Sequence, residues 1–493
     1  MPGEILKHPR EIPGNDLRRY IIAEPDLFKN IQTMSETSDI FIAKSTVKAA
    51  DLEHRRKINF NIGRYNAVVP LGKKQFVDVE MVRKRAKNVK WKAIETLDVM
   101  LEEFERNLQQ KGGKVIWADT VEDAQKTIGE ICRKYDCRSV VKSKSMATEE
   151  IHLNDYLERE GIESVETDLG EYIQQLDGEA PYHIVTPAMH KSKEDVARLF
   201  TEKLNTPPGL SPEELTLVAR KNLRGKYTEA EVGVTGANFI IADTGSIAVT
   251  ENEGNARLSC AWPKVHIVVV GIEKVIPSME DLALFWPLLS TFGTGQQITV
   301  YNTIVSGPRQ AGESDGPEEM YVILLDNGRT NILANPKSRE SLYCIRCGAC
   351  LNACPVYKNI GGHAYGTTYS GPIGSVITPH LRGMEDWKHL SYASSLCGNC
   401  TEVCAVKINL HELLLDNRDE AVRSGSAGFA ERMAWKVWQR ASLSRSLMNA
   451  GNGRLKNWMV NRLFTGWTRH RTDLDFPDKT FNQRWKAQRQ GIS

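Results

Sequence analysis

Cys344-Ile-Arg-Cys347-Gly-Ala-Cys350-Leu-Asn-Ala-Cys354-Pro355 decides how this chain is read, together with Cys397-Gly-Asn-Cys400-Thr-Glu-Val-Cys404 further on. The first run has the spacing C-x2-C-x2-C-x3-C-P, which holds iron–sulfur clusters. One short turn brings three thiolates to three corners of a cube, and soft sulfur donors suit iron–sulfur chemistry. Zinc is usually satisfied by two Cys pairs, or by Cys with His, and does not ask for a third and fourth cysteine packed so close. A disulfide framework belongs to short secreted chains. The motif therefore predicts cluster binding, and with it single-electron chemistry.

In two-cluster proteins of this type the fourth Cys of each run ligates the other cluster. That rule assigns Cys344, Cys347, Cys350 and Cys404 to cluster 1, and Cys354, Cys397 and Cys400 to cluster 2. The second run is one ligand short, because Ser394 stands where its first cysteine would be, and Ala405 replaces the usual Pro. Three completions stay open: a [4Fe–4S] cluster with a Ser, water or substrate oxygen on the open iron; a [3Fe–4S] cluster; or a distant ligand such as Cys260 or His363. Arg346 and Lys407, within and beside the runs, read either as charges that raise a cluster potential or as solvated surface residues.

Outward from the cysteines, 493 residues are enough for two or three domains. Hydrophobic content of 41% and charged content of 26% are those of a soluble globular protein. Lys+Arg of 64 against Asp+Glu of 62 leaves no electrostatic footprint for nucleic acid. Seven of the 10 cysteines lie in the two runs, and Cys132, Cys137 and Cys260 are scattered, which fits a reducing compartment. The N-terminus has no apolar signal region, and no stretch is long enough to span a membrane. The expectation is a cytoplasmic protein that reaches a membrane only through partners.

Residues 1–55 read as a helical N-terminal arm. Helical periodicity runs over 78–111 and stops at Gly112-Gly113. Strands then alternate with helices: Lys114–Trp117, Ser139–Val141, Ile162–Glu166 and His183–Val185, with helices after Thr120, through Leu157, and near Gly170 to Leu176. This predicts parallel βαβ units. Further strands are expected at Asn238–Ala242, Ser246–Thr250, Val265–Val270 and Met320–Leu325, divided in places by turns such as Asp243-Thr-Gly245. The fold class is α/β: a domain over 56–335 with a parallel or mixed sheet, then a mainly helical two-cluster domain over 336–420. A basic, Trp-bearing helical extension over 421–493 reads either as a docking tail or as helices that pack Trp onto the body. No Gly-x-Gly-x-x-Gly follows a strand, so no dinucleotide site is inferred.

Val141-Lys-Ser-Lys-Ser-Met146, Glu166-Thr-Asp-Leu-Gly-Glu171, Asp243-Thr-Gly-Ser246 and Asn252-Glu-Gly-Asn-Ala-Arg257 resemble a lactate-utilization domain. With the cysteine runs, Ile360-Gly-Gly-His363 and Ser370-Gly-Pro-Ile-Gly374, the sequence resembles the lactate utilization protein B family over residues 56–420. The resemblance implies an iron–sulfur, ferredoxin-type component of an L-lactate oxidising system that makes pyruvate. Its implied partners are a cysteine-rich subunit and a smaller lactate-utilization-domain subunit, and the electron acceptor stays open. Two other readings remain: a self-sufficient lactate-binding iron–sulfur dehydrogenase, and a ligand-sensing scaffold with structural clusters.

In the α/β domain Lys142, Lys144, Thr244, Gly245, Ser246 and Arg257 are candidates for an anion site, since a small carboxylate needs a cation and N–H donors. Lys142 and Lys144 share one strand face by their i, i+2 spacing. Glu253, Asn255, His266 and Arg309 could join them. His266 is equally read as a satisfied core histidine, and Cys260 as a buried small hydrophobe.

Overall fold

The computed structural model describes residues 35–425, 429–463, 472 and 475–491. Most of the N-terminal arm and Trp467 lie outside the described residues. Residues 35–423 form one compact unit, and the described residues from 424 onward belong to another.

The first unit is built on a six-stranded parallel sheet of β1 (Lys114–Ala118), β10 (Glu319–Leu325), β7 (Val265–Gly271), β4 (Val232–Thr235), β2 (Ser139–Lys142) and β3 (Glu163–Glu166), in that spatial order. The central strands are near-continuous apolar runs because both of their faces are covered. Along β7, Val268 and Val270 enter one hydrophobic cluster, and Val265, Ile267 and Val269 enter the other. β10 does the same in parallel register, from Glu319↔Val265 to Leu325↔Gly271. A second, mixed sheet has the order β8 (Val275–Ile276), β5 (Phe239–Ile241), β6 (Ser246–Glu251), β9 (Tyr301–Val305).

The strand order fixes where a ligand can sit. From β2 the chain crosses outward to β3, whereas from β4 it crosses inward to β7. The order therefore reverses between β2 and β4, and the crevice at the carboxyl ends of those strands is the binding position such sheets offer.

Local signals explain most elements. Helix Val121–Lys134 starts with a capping box between Thr120 and Asp123. Helix Leu97–Gln109 ends before Gly112, whose φ of 87° suits glycine. Two expectations are corrected. The stretch 78–111 is two helices, Val79–Glu95 and Leu97–Gln109, broken at Thr96. His183–Val185 is not a strand: the backbone N–H groups of Val185 and Thr186 point at His183 Nδ1, and Tyr182 N–H donates to Pro187 O, so the segment folds into a turn. The fourth strand of the parallel sheet is Val232–Thr235 instead.

The cysteine-rich part is helical, with Leu410–Arg423 its longest helix. The described helices before β1 cover it. Ser35 and Thr37 donate to Asp386 O, and Asn59 donates to Lys358 O. In the second unit Trp435, Trp438 and Trp458 stay exposed. Among the described residues, no helix is long and apolar enough to cross a membrane.

Candidate metal centre

Four thiols line one small cavity: Cys344, Cys347, Cys350 and Cys404. Apart from Arg346 its remaining wall is apolar, including Ile345, Ile373, Val406 and Ile408, each at most 2% exposed. Burial, and then repulsion from Cys404, pushes the Cys347 thiol up to about 12. Burial and the other three sulfurs push Cys350 well above its ordinary value. Four such sulfurs in an apolar shell are poor as free thiolates and well suited as ligands to a multivalent metal centre, which supplies the missing positive charge. Backbone amides already face two of them, with Arg346 N–H donating to Cys344 Sγ at 3.4 Å and Ile408 N–H to Cys404 Sγ at 3.3 Å. Such N–H···S contacts stabilise a negatively charged sulfur.

The other three cysteines form a separate group. Cys400 is raised by burial and then by Cys354 and Cys397, and Tyr357 N–H donates to Cys354 Sγ at 3.5 Å. Cys397 is exposed, so this group opens at the surface.

The two cysteine loops repeat one backbone shape. Arg346 and Leu396 have φ of 60° and 54°; Gly348 and Gly398 both have φ of 78°. Short helices follow at Ala349–Ala353 and Asn399–Glu402. In this repeat Ser394 stands where Cys344 stands. Leu396 N–H donates to Ser394 Oγ at 3.1 Å, as Arg346 N–H does to Cys344 Sγ. The two distant ligand candidates are occupied elsewhere. His363 Nε2 bonds Ala180 O and its ring packs on Tyr182 and His190. Cys260, half-buried, lies beside Arg257 and His266 in the α/β part.

Arg83 holds the second run in place and was not visible in the sequence. From helix Val79–Glu95 its guanidinium donates to Cys404 O at 2.8 and 3.0 Å and to Glu402 O at 2.6 Å. Arg83→Met strands Glu402 O and leaves Cys404 O with only the Lys407 N–H at 3.1 Å, which should cost about 1–3 kcal/mol. The expected result is faster iron release to a chelator; an unchanged rate would show that the loop holds itself.

A cleft of about 500 Å³ lies at the switch point. Ser143, Lys144 and Ser145 line it from the end of β2, and Gly236 and Asn238 from the end of β4. Its floor is Lys274, Arg329, Arg346 and Tyr369, and Cys347 opens onto it. Cys347 and Arg346 therefore border both the cleft and the four-thiol cavity. In that floor Arg329 lies between two buried carboxylates. It donates to Glu150 at 2.8 and 2.9 Å and to Glu273 at 2.6 Å. Burial alone would raise Glu273; Arg329, Arg346 and Lys274 overcome it and hold the carboxyl down to about 2.

Of the six anion-site candidates, the structure brings only Lys144 to this cleft. Lys142 is fully buried and faces away, paired with Glu166 at 2.7 Å and Glu149 at 3.0 Å. The i, i+2 argument fails because β2 ends at Lys142 and the chain turns. Thr244 and Gly245 sit in the β5–β6 turn, whose carbonyls Lys111 and Asn107 hold, and Ser246 begins β6. Arg257 is exposed and stacks on Tyr301. Glu253 and Asn255 do line the cleft. His266 is a core residue bonded to Thr235 Oγ1, and Arg309 pairs with Glu318. Arg346 is largely buried rather than solvated, while Lys407 pairs with Glu80 at 2.7 Å on the surface.

Comparison with known proteins agrees with this architecture. The LUD domain family matches residues 101–325, and the 4Fe-4S dicluster domain family matches residues 340–408. Lactate utilization protein B of Bacillus velezensis is 47% identical over 372 residues, 75% of this chain and 78% of its own. The Bacillus subtilis protein of that name is 43% identical over 428 residues, 82% of this chain and 89% of its own. The Bacillus licheniformis one is 46% identical, over 77% and 80%. At this identity and coverage, carried by both the LUD and the cysteine-rich parts, the chain belongs to the lactate utilization protein B family.

Proposed function

We propose that this chain is the iron–sulfur electron-transfer component of a system that oxidises L-lactate to pyruvate. One observation carries the reading: the cleft at the switch point meets the four-thiol cavity at Cys347, while the three-thiol group opens at the surface through Cys397. That order gives a buried input and an exposed output. The names of the relatives supply lactate as the substrate class. A [4Fe–4S] cluster in each site would accept and release single electrons.

In this reading Cys344, Cys347, Cys350 and Cys404 hold cluster 1, and Cys354, Cys397 and Cys400 hold cluster 2. Ser394 Oγ supplies the fourth corner of cluster 2, an assignment supported by the repeated backbone. The α/β part over 56–335 supplies most of the cleft lining and 336–420 the clusters, with the arm to 55 before them in sequence and the extension from 421 after them. A cysteine-rich subunit and a smaller lactate-utilization-domain subunit are the partners that deliver and remove electrons.

The test is a reconstituted assay with L-lactate, the two partner proteins and a one-electron dye. Dye reduction should require this chain with its clusters loaded. Full dye reduction without it would overturn the reading. Ser394 gives a separate check on cluster 2. Ser394→Ala should convert cluster 2 to a three-iron species seen by electron paramagnetic resonance after mild oxidation, and Ser394→Cys should resist that conversion. Identical spectra for all three proteins would exclude Ser394 as a ligand.

A further inference from the structure

Arg346 is a buried cation with donors to spare. Its side chain is 10% exposed. One nitrogen, Nη2, reaches Glu273 Oε1 at 3.3 Å, but Nε and Nη1 are buried without a hydrogen-bond partner. Glu273 is shared between the two arginines, Oε2 with Arg329 at 2.6 Å and Oε1 with Arg346 at 3.3 Å, so one carboxylate serves two guanidinium groups. Lys274 lines the same floor and has no ion-pair partner among the described residues. On the floor three cations, Arg329, Arg346 and Lys274, face two buried carboxylates, Glu150 and Glu273; the rest of the cleft lining adds Lys144 and the carboxylates of Asp168, Glu251 and Glu253. A buried guanidinium that leaves donors unpaired loses their hydration without recompense. The Tyr369 ring, 4.5 Å from the guanidinium carbon, fixes the plane of the fork. The two free donors lie on different edges of the guanidinium, Nε–H on the Nη2 side and Nη1–H away from it, so each offers one charge-assisted hydrogen bond to an anion oxygen.

We infer that the cleft binds a small 2-hydroxy or 2-oxo carboxylate, with its carboxylate on Arg346 and Lys274 and its carbon chain against the Cys347 side of the four-thiol cavity. The site lies where the strand order reverses, which is the position open parallel sheets give to ligands. The cation that anchors the ligand is then the residue between two cluster cysteines, so one side chain ties substrate position to cluster 1. This deepens the proposed function and rests on it for the class of acid.

The test is calorimetric titration of the anaerobically purified, cluster-loaded full chain with sodium L-lactate and sodium pyruvate, and with acetate and inorganic phosphate for comparison. Saturable binding of L-lactate or pyruvate is expected, tighter than acetate or phosphate. Arg346→Gln and Lys274→Met should each weaken it about tenfold or more, as loss of a charge-assisted hydrogen bond does. Arg346→Lys, which keeps the charge and loses the guanidinium's separate donors, should fall between. Iron content is checked in every variant, and Lys274→Met, outside the cysteine runs, keeps the test sound if the Arg346 variants lose iron. Absence of saturable binding overturns the inference, as does binding unchanged in both Arg346→Gln and Lys274→Met. So does a result in which Arg346→Gln shifts only the potential of cluster 1, since the free donors then serve the cluster alone. Phosphate binding as tightly as lactate also overturns it. Because binding is read without turnover, a chain that binds the acid yet passes no electrons would sink the electron-transfer reading and leave this one standing.

Discussion

Cys347→Ser should remove one of the two proposed clusters, lowering iron in the anaerobically purified protein from about eight to about four atoms per chain. Cys347 borders both the four-thiol cavity and the cleft, so its sulfur is the ligand nearest any bound acid. A serine hydroxyl is smaller and far less acidic than a thiol, and among the described residues no fifth cysteine and no histidine lines the four-thiol cavity. The three-thiol group is built from other residues and should keep its signal. Lactate-dependent dye reduction in the reconstituted system should be lost with the first cluster, because the remaining site no longer adjoins the cleft. Iron and sulfide analysis with electron paramagnetic resonance checks the outcome. Unchanged iron with full activity would remove Cys347 from the ligand set.

Arg329→Met should destabilise the fold by about 3–5 kcal/mol at neutral pH, the cost of removing one partner from a buried ion pair. The side chain is 2% exposed and bridges Glu150 from the segment after β2 to Glu273 beyond β7. Tyr369 OH adds a hydrogen bond to Glu150 Oε2 at 2.6 Å and ties the cysteine-rich part to the same carboxylate. Without Arg329 the two carboxylates are buried with too little positive charge.

The pH dependence has a definite sign. In the native protein Glu273 is held at about 2, below its ordinary 4.5, so its contribution is complete above about 4.5 and is lost as pH falls towards 2. In Arg329→Met burial dominates and raises the carboxyls, so the variant gains stability relative to the native protein as pH falls from neutral into the carboxylate range. Denaturation of both proteins at pH 7 and pH 5 measures this. The gap should narrow at pH 5; a constant gap would mean that Arg329 acts through packing alone.

The grouping of the cysteines was legible because their spacing is a local constraint, and Ser394 was visible as the odd member of the same pattern. The parallel alternation was legible too, since β1, β2 and β3 are bounded by caps and turns within a few residues. His183–Val185 has strand-like composition, but the bonds that decide its shape run to His183 Nδ1 and Pro187 O and leave no periodicity. The cleft floor was illegible for a different reason. Glu150, Glu273, Arg329 and Tyr369 come from four separate segments that meet only in three dimensions. Arg346 was noticed for its place between cysteines, yet its burial depends on Tyr369 and Glu273, which no local pattern links to it. Lys142 misled because a strand face was assumed to continue past the residue where β2 ends.

The most direct test of the central claim is electron paramagnetic resonance of the anaerobically purified chain during stepwise chemical reduction. Two clusters held in one small domain should both be reducible, and each should broaden the spectrum of the other once both are reduced. A protein with a single cluster, or one whose clusters stay silent down to strongly reducing potentials, would contradict the role of this chain as an electron carrier.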